Sequence, residues 1–328
     1  MENLILTNEM ISNVGCPLCG SISNTFLFNT LDHEYETTNL QFPLVECNDC
    51  KLKFLSPRPN LRALHVIYPP TYSNFSTSDS SGQSYVRRIS NLIQSNRIKN
   101  LIKKYQTNLR SERLNILDVG CGDGHILDRV KEAYPNCNTY GVEPNEIAAQ
   151  IASRRHNIFK GVFEDYHPKI QFDLIFSSHV IEHVESPILF LGKIRDGLAP
   201  NGVAVIDTPN IACLQYRIFG ENWGGIHSPR HWTLFDTQTL ALAAKSADLK
   251  VLETIEMPIN TFWIWSVHAW LYSKGWKRFA GKFFNTKNCV SQKSFYYLII
   301  MILAELFERL TGIFGFGLGQ QRMVLEKK

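Results

Sequence analysis

The sequence predicts an α/β protein built on a doubly wound, mostly parallel sheet, with a small cysteine-rich module ahead of it and a helical insertion late in the chain. Three observations carry this expectation. From Leu114 onward, short apolar runs alternate with helical stretches; the first run ends in a glycine-rich turn, ILDVGCGDGH (116–125); and four cysteines before residue 60 form two C-x-x-C pairs. Alternating strands and helices favour a parallel sheet because each parallel crossover needs a covering helix. With 328 residues, 44% of them hydrophobic, the chain can bury a large core, as one big domain with additions or as two domains.

The first segment, 1–60, holds CPLCG and CNDC, so Cys16, Cys19, Cys47 and Cys50 make two knuckles with 27 residues between them. That spacing brings four thiolates to one tetrahedral zinc, a zinc ribbon. Seven acids and three bases in this segment make it acidic, and a zinc on four thiolates adds negative charge, so the ribbon is expected to be structural or substrate-holding and not a nucleic-acid reader. The net charge of +4 is likewise too small to imply a nucleic-acid partner. MENLILTNEM lacks the basic and apolar regions of a signal peptide, and the few cysteines do not suit a disulfide framework; a cytoplasmic protein is the expectation.

Residues 61–112 read as a connection rich in Pro, Ser and Tyr, followed by an amphipathic helix in SYVRRISNLIQSNRIKNLIKKY, whose apolar face is expected on the next domain and whose basic face could instead meet a membrane. The core spans 113–256. Its strands are LNILDV, TYGVE, NIFKG, FDLIFSS, GVAVIDT and KVLETIE, and its helices cover 124–134, 145–155, about 187–199 and 236–247. Ligands of such sheets sit beyond the carboxyl ends of the strands, where the glycine turn falls.

The turn places glycines at 120, 122 and 124, with His125 where a dinucleotide fingerprint needs its third glycine, and no Lys-Ser or Lys-Thr pair closes a phosphate loop. Glu143, at the end of the second strand, suits the two hydroxyls of a ribose. Asp118, at the loop's start, favours an ammonium group and repels phosphate. A nucleoside with an amino-acid tail and no phosphate, S-adenosylmethionine, fits both.

ILDVGCGDG, YGVEPN, FDLIFSSHVIEHVESP, LAPNGVAVIDTPN and PRHWTLF together resemble the Rossmann-like (class I) S-adenosylmethionine-dependent methyltransferases, over most of residues 114–256. The four-cysteine module followed by LSPRPN and YPPTY is similar to a bacterial subfamily found in cell-surface glycan, lipid and secondary-metabolite pathways. The resemblance implies a seven-stranded sheet whose antiparallel last strand is QQRMVLEKK, 320–328. It also implies that Asp118, Gly120 and Gly122 contact the methionine portion, with Gly124 and Ser178 completing the cofactor set. Glu143 would hold the ribose, and Glu164 or Asp165 would face the adenine amine.

Methyl transfer from a sulfonium is an in-line displacement, and a hydroxyl acceptor benefits from a general base. Candidates are Glu182 and His183 after the fourth strand and His231 in the insertion after the fifth, with His179 and His227 nearby. Glu182 and His183 could instead shape the loop, and His231 could be a satisfied core histidine. Tyr68 and Tyr72 resemble positions that close over an acceptor.

Before the last strand, 257–319 form an unusual insertion. Met257 to Ala304 contain no acid, while Lys274, Lys277, Arg278, Lys282, Lys287 and Lys293 lie between TFWIWSVHAWLY and SFYYLIIMILAELF. Neither run reaches the roughly 20 residues that span a bilayer. An interfacial hairpin over 260–318 on the inner membrane face, a cap on the acceptor pocket and a homodimer seam all remain open. The expected activity is O-methylation of a small-molecule, glycan or lipid-linked acceptor. Sugar C-methylation, an RNA or protein methyltransferase, and a non-enzymatic zinc scaffold are the alternatives.

Overall fold

The computed structural model describes residues 6–69, 72, 98–105, 113–284 and 295–328. Most of the connection and of the expected amphipathic helix, and Lys287 and Lys293, lie outside them.

The central sheet has seven strands. β6 (Asn115–Val119), β7 (Asn138–Glu143), β8 (Asn157–Lys160), β9 (Phe172–Ser178) and β10 (Leu198–Pro209) run parallel to one another, while β13 (Gln320–Lys327) pairs antiparallel with both β10 and β12 (Leu249–Met257), in the order β12-β13-β10-β9-β6-β7-β8. The near-continuous apolar runs of β6, β9 and β10 follow from cover on both faces. One face packs against Phe190, Leu191, Ile194, Leu240, Ala243 and Ala244 of the helices Pro187–Gly197 and Thr237–Ser246. The other receives Leu101, Ile102 and Tyr105, so the described turns 98–105 of the amphipathic segment lay their apolar side on the sheet. Side-chain caps start the helices where the sequence changes period: Asn145 accepts from Ala148 N, Ser186 from Leu189 N ahead of Pro187, and Asp236 forms a capping box with Thr239.

The cysteine module is β1 (Ile11–Ser12) paired with β5 (Arg58–Pro59), together with β2 (Asn24–Thr30), β3 (Phe42–Cys47) and β4 (Lys53–Leu55). Its sheet gains a fourth strand from far along the chain: β11 (Thr233–Leu234) pairs antiparallel with β4, Thr233 opposite Phe54. Cys16, Leu18, Val45 and Phe54 also share one apolar cluster with the central core. A boundary at residue 60 therefore divides the sequence but not the packing.

Among the described residues, the insertion forms helices Asn260–Ser273, Lys277–Phe283 and Phe295–Ile313. Glu308, which interrupts the second apolar run, points inward. Its carboxylate accepts from Ile259 N (3.1 Å), Trp263 Nε1 (3.2 Å) and Gly319 N, tying the long helix to the start of the first one and to the approach to β13. Among the described residues, no helix is long and apolar enough to cross a membrane.

Candidate active site

The glycine turn leaves β6 with Gly120, Gly122 and Gly124 all at positive φ (77°, 55° and 87°), which side chains avoid. Their surroundings separate their roles. A Cβ on Gly120 would stand 2.6 Å from Val180 Cγ2, and one on Gly124 would press on His156 and Ala152, whereas one on Gly122 would meet nothing within 4 Å. Gly120 and Gly124 are thus small for packing reasons, and Gly122 borders open space. A valine at 120 would collide with Val180 itself, before any ligand is considered.

Around that space stand two acids. Glu143 accepts Gly122 N and Asn145 N, each at 2.8 Å, one per carboxylate oxygen, which orients the group and leaves each oxygen further lone pairs. Burial raises its pKa against those two hydrogen bonds. Asp118 is 1% exposed and its Oδ2 has no partner. Burial above all, then the Glu143 and Asp207 carboxylates, push its pKa up to about 7 although His125 pulls the other way. An orphaned carboxylate oxygen in a closed site is what an ammonium group would satisfy. Of the other expected cofactor residues, Glu164 and Asp165 lie exposed on the short helix Phe163–Asp165, where Lys193 Nζ holds the Glu164 carbonyl, and Ser178 ends β9, half-buried.

Val180 leads from the glycine turn into a buried polar cluster on the helical turn Ile181–His183. Glu182, fully buried, accepts Thr208 Oγ1 on Oε2 (3.0 Å) and faces His179 Nδ1 through Oε1 (3.1 Å). Despite burial, the contact with His179 keeps the Glu182 pKa low. His231 Nε2 lies 3.9 Å from Glu182 Oε1, and the His183 and His231 rings are 4.7 Å apart. Burial drives the His183 pKa down to about 4 and that of His231 well below its usual value, so both rings are neutral near pH 7. Tyr68 Oη sits 2.9 Å from His183 Nδ1 and Tyr72 Oη 3.3 Å from His227 Nε2, so both tyrosines join the cluster.

The sequence reading missed what braces this cluster. Arg230, with no exposed surface, donates to both oxygens of Asp32 (3.1 and 2.9 Å) and to Ile67 O (2.7 Å), and lies over the Tyr35 ring. Glu34 Oε2 is 2.9 Å from His227 Nδ1. The cysteine module thus supplies the Asp32 carboxylate that holds the loop carrying His227 and His231, and sets Glu34 beside His227. An arginine inside the aromatic stretch HSPRHW was the available signal, but its partner lies 198 residues away. The insertion closes the same region: Trp265 stacks on His227 at 5.8 Å, and Ser266 Oγ takes Gly224 N.

The four cysteine sulfurs lie within 4.8 Å of one another, with Cys16 to Cys50 at 3.4 Å and Cys19 to Cys47 at 3.5 Å, and none is in a disulfide. Burial pushes the Cys16 thiol up to about 11. At Cys47 burial is outweighed by the N–H groups of Cys50 and Asp49, which bring it to about 7. Four sulfurs so close together fit the donor set of a structural zinc site.

Residues 92–254 match the family described as a methyltransferase domain. The chain is 29% identical over 121 residues to the ubiquinone biosynthesis O-methyltransferase of Bradyrhizobium sp. (strain ORS 278), covering 33% of this chain and 46% of that protein. It is 35% identical over 109 residues to the tRNA U34 carboxymethyltransferase of Azotobacter vinelandii, covering 30% and 33%. It therefore spans less than half the length of these curated relatives. Among solved structures, one provisionally assigned as a sarcosine dimethylglycine methyltransferase, from Galdieria sulphuraria, shares the fold, with a TM-score of 0.50 and 14% identity over 78% of this chain and 92% of that one.

Proposed function

We propose that this chain, which carries a methyltransferase domain over residues 92–254, moves a methyl group from S-adenosylmethionine to a hydroxyl of a small-molecule, glycan or lipid-linked acceptor. The observation that carries this reading is the buried Asp118 Oδ2, without a hydrogen-bond partner, beside Glu143 and the glycine turn whose Gly120 packs on Val180, the residue that leads into the Glu182, His183 and His231 cluster. When bound, S-adenosylmethionine supplies an electrophilic methyl on sulfur. Asp118 would pair its ammonium, Glu143 its ribose hydroxyls, and Glu164 or Asp165 with Ser178 the adenine side. Across Val180, the polar cluster would orient the acceptor hydroxyl and relieve it of its proton, while Tyr68, Tyr72 and Trp265 exclude water.

The name of the Bradyrhizobium relative favours an oxygen acceptor, and that of the Azotobacter relative makes RNA the second reading. The acidic cysteine module opposes RNA, and binding of RNA at low salt would reverse that preference. Cys16, Cys19, Cys47 and Cys50 would hold one zinc that shapes the module presenting Asp32 and Glu34.

A lipid-linked acceptor, or an acceptor made at a membrane, is supported by the outer face of the insertion. Ile299 (44% exposed), Ile302, Leu303, Leu306, Leu310 and Ile313 (79%) form one stripe at helical spacing on Phe295–Ile313. The neighbouring helical segment carries Lys274, Lys277, Arg278 and Lys282, all exposed, without an acid. That charge complements an anionic leaflet, whereas a two-fold seam would bring like charges together.

Calorimetric titration with S-adenosylmethionine tests the whole reading. The wild-type chain should bind, and Glu143→Ala should weaken binding by about 1.5–3 kcal/mol, the scale of hydrogen bonds to a charged group. Absence of binding to the wild-type chain would remove the proposal.

A further inference from the structure

Glu182, His183 and His231 share features that a proton-relay cluster does not need. We infer that they bind a divalent transition-metal cation, which holds and acidifies the acceptor hydroxyl. The role assigned to the cation rests on the methyl-transfer reading above; the binding itself does not.

The first feature is convergence: one ligand atom from each of the three residues lies within 4.8 Å of the others. Bonds of about 2.1 Å in a tetrahedral site separate ligands by about 3.4 Å, so the 3.9 Å between His231 Nε2 and Glu182 Oε1 needs to close by roughly half an ångström. As it stands, that gap is too long for a hydrogen bond.

The second is the tautomer that the surroundings impose. His231 Nδ1 faces the Gly225 carbonyl at 2.8 Å, and His183 Nδ1 faces the Arg230 carbonyl at 3.0 Å. A carbonyl only accepts, so His231 keeps its proton on Nδ1 and leaves its Nε2 lone pair unused, while His183 Nδ1 is shared between the Arg230 carbonyl and the Tyr68 hydroxyl. Metal-ligating histidines are oriented in this way. The carboxylate is oriented too, since Thr208 and His179 take one oxygen each.

The third is placement. Val180 joins the cluster to the glycine turn, so a cation there lies at the carboxyl ends of β9 and β10, beside the site assigned to the cofactor. Glu182 and His231 are buried while His183 is half-buried, which leaves the His183 side for an incoming ligand. Two imidazoles and a carboxylate suit zinc, iron(II), manganese(II) or cobalt(II) more than calcium or magnesium.

In the reaction, the acceptor hydroxyl oxygen would bind the cation and release its proton to bulk solvent on the half-buried His183 side as the acceptor docks, because a cation-bound hydroxyl is more acidic. That oxygen then forms a bond to the sulfonium methyl carbon as the carbon–sulfur bond breaks. Its electron pair stays on sulfur, which leaves as the neutral thioether S-adenosylhomocysteine.

The test counts metal on the full-length chain after chelator stripping and equilibration with Co2+. Two ions per chain are expected for the wild type. One is expected for a Cys16→Ser, Cys19→Ser double variant, with loss of the sulfur-to-cobalt charge-transfer band. One is also expected for Glu182→Gln, with that band kept. Glu182→Gln should lower affinity for the second ion more than tenfold. A wild type whose bound cobalt is all lost in the Cys16→Ser, Cys19→Ser variant overturns the inference, and so does a cobalt count that Glu182→Gln leaves unchanged. S-adenosylmethionine binding, read calorimetrically in the same samples, reports separately on the methyl-transfer reading.

Discussion

Replacing Asp118 with asparagine should stabilise the ligand-free protein above pH 7 while weakening its hold on S-adenosylmethionine. The carboxyl is buried, and its pKa stands at about 7 against 3.8 in the unfolded chain. A group whose pKa rises on folding binds protons more readily in the native state. Its contribution is therefore fully present below about pH 4 and is lost as pH climbs through 7. At 1.36 kcal/mol per unit, the ionised carboxylate costs the native state on the order of 4 kcal/mol at pH 8. Asparagine removes the charge but leaves its own amide underbonded, so a net gain of roughly 1–3 kcal/mol at pH 8 is expected, shrinking towards zero or reversing at pH 5. Ligand binding should show the opposite face of the same energy. A ligand ammonium prefers the carboxylate, so wild-type affinity should rise with pH up to about 7, by at most tenfold per unit, and the Asp118→Asn variant should lack that slope. Urea denaturation at pH 5 and 8, with calorimetric titration across the same range, reads both. A variant no more stable than wild type at pH 8 that also binds S-adenosylmethionine with the wild-type pH profile would refute the reasoning.

Asp32→Asn should destabilise the fold by about 3–5 kcal/mol, because it strands the fully buried Arg230 charge; chemical denaturation checks this, and a change below about 1 kcal/mol would show the pair to be dispensable. The Cys16→Ser, Cys19→Ser variant should lose stability and release zinc while a surviving folded fraction keeps wild-type affinity for S-adenosylmethionine, since the sulfurs lie outside the glycine turn. Vesicle flotation should require anionic lipid, fall as salt rises, and weaken by about 1 kcal/mol for each of Lys274, Lys277, Arg278 and Lys282 changed to Gln; a salt-insensitive dimer that ignores anionic vesicles would assign the stripe to a second copy.

The features legible in the sequence are those that short stretches determine. Strand and helix periods, the glycine turn and Glu143, and the two C-x-x-C pairs each depend on spacings within a few residues, so their geometry follows from backbone stereochemistry and ligand reach. Even the amphipathic turn carrying Leu101 and Ile102 showed its buried side in its period. The insertion was legible only as alternatives, because apolar faces do not say which one is covered. Folding uses both: Trp265 caps His227 on the inner side while Leu303 and Ile313 stay exposed on the outer.

Only the tertiary structure decided how the pieces meet. β11 completes the cysteine module's sheet, Asp32 grips Arg230 across 198 residues, and Thr208 anchors Glu182 from the next strand of the sheet. The physical reason is that a buried charge must find a partner wherever the packed chain offers one, and that choice is made by the low dielectric and closure of the assembled core rather than by local spacing. The same reason sets the tautomer of His231: the backbone carbonyl of Gly225, placed by the fold, decides which nitrogen keeps its proton.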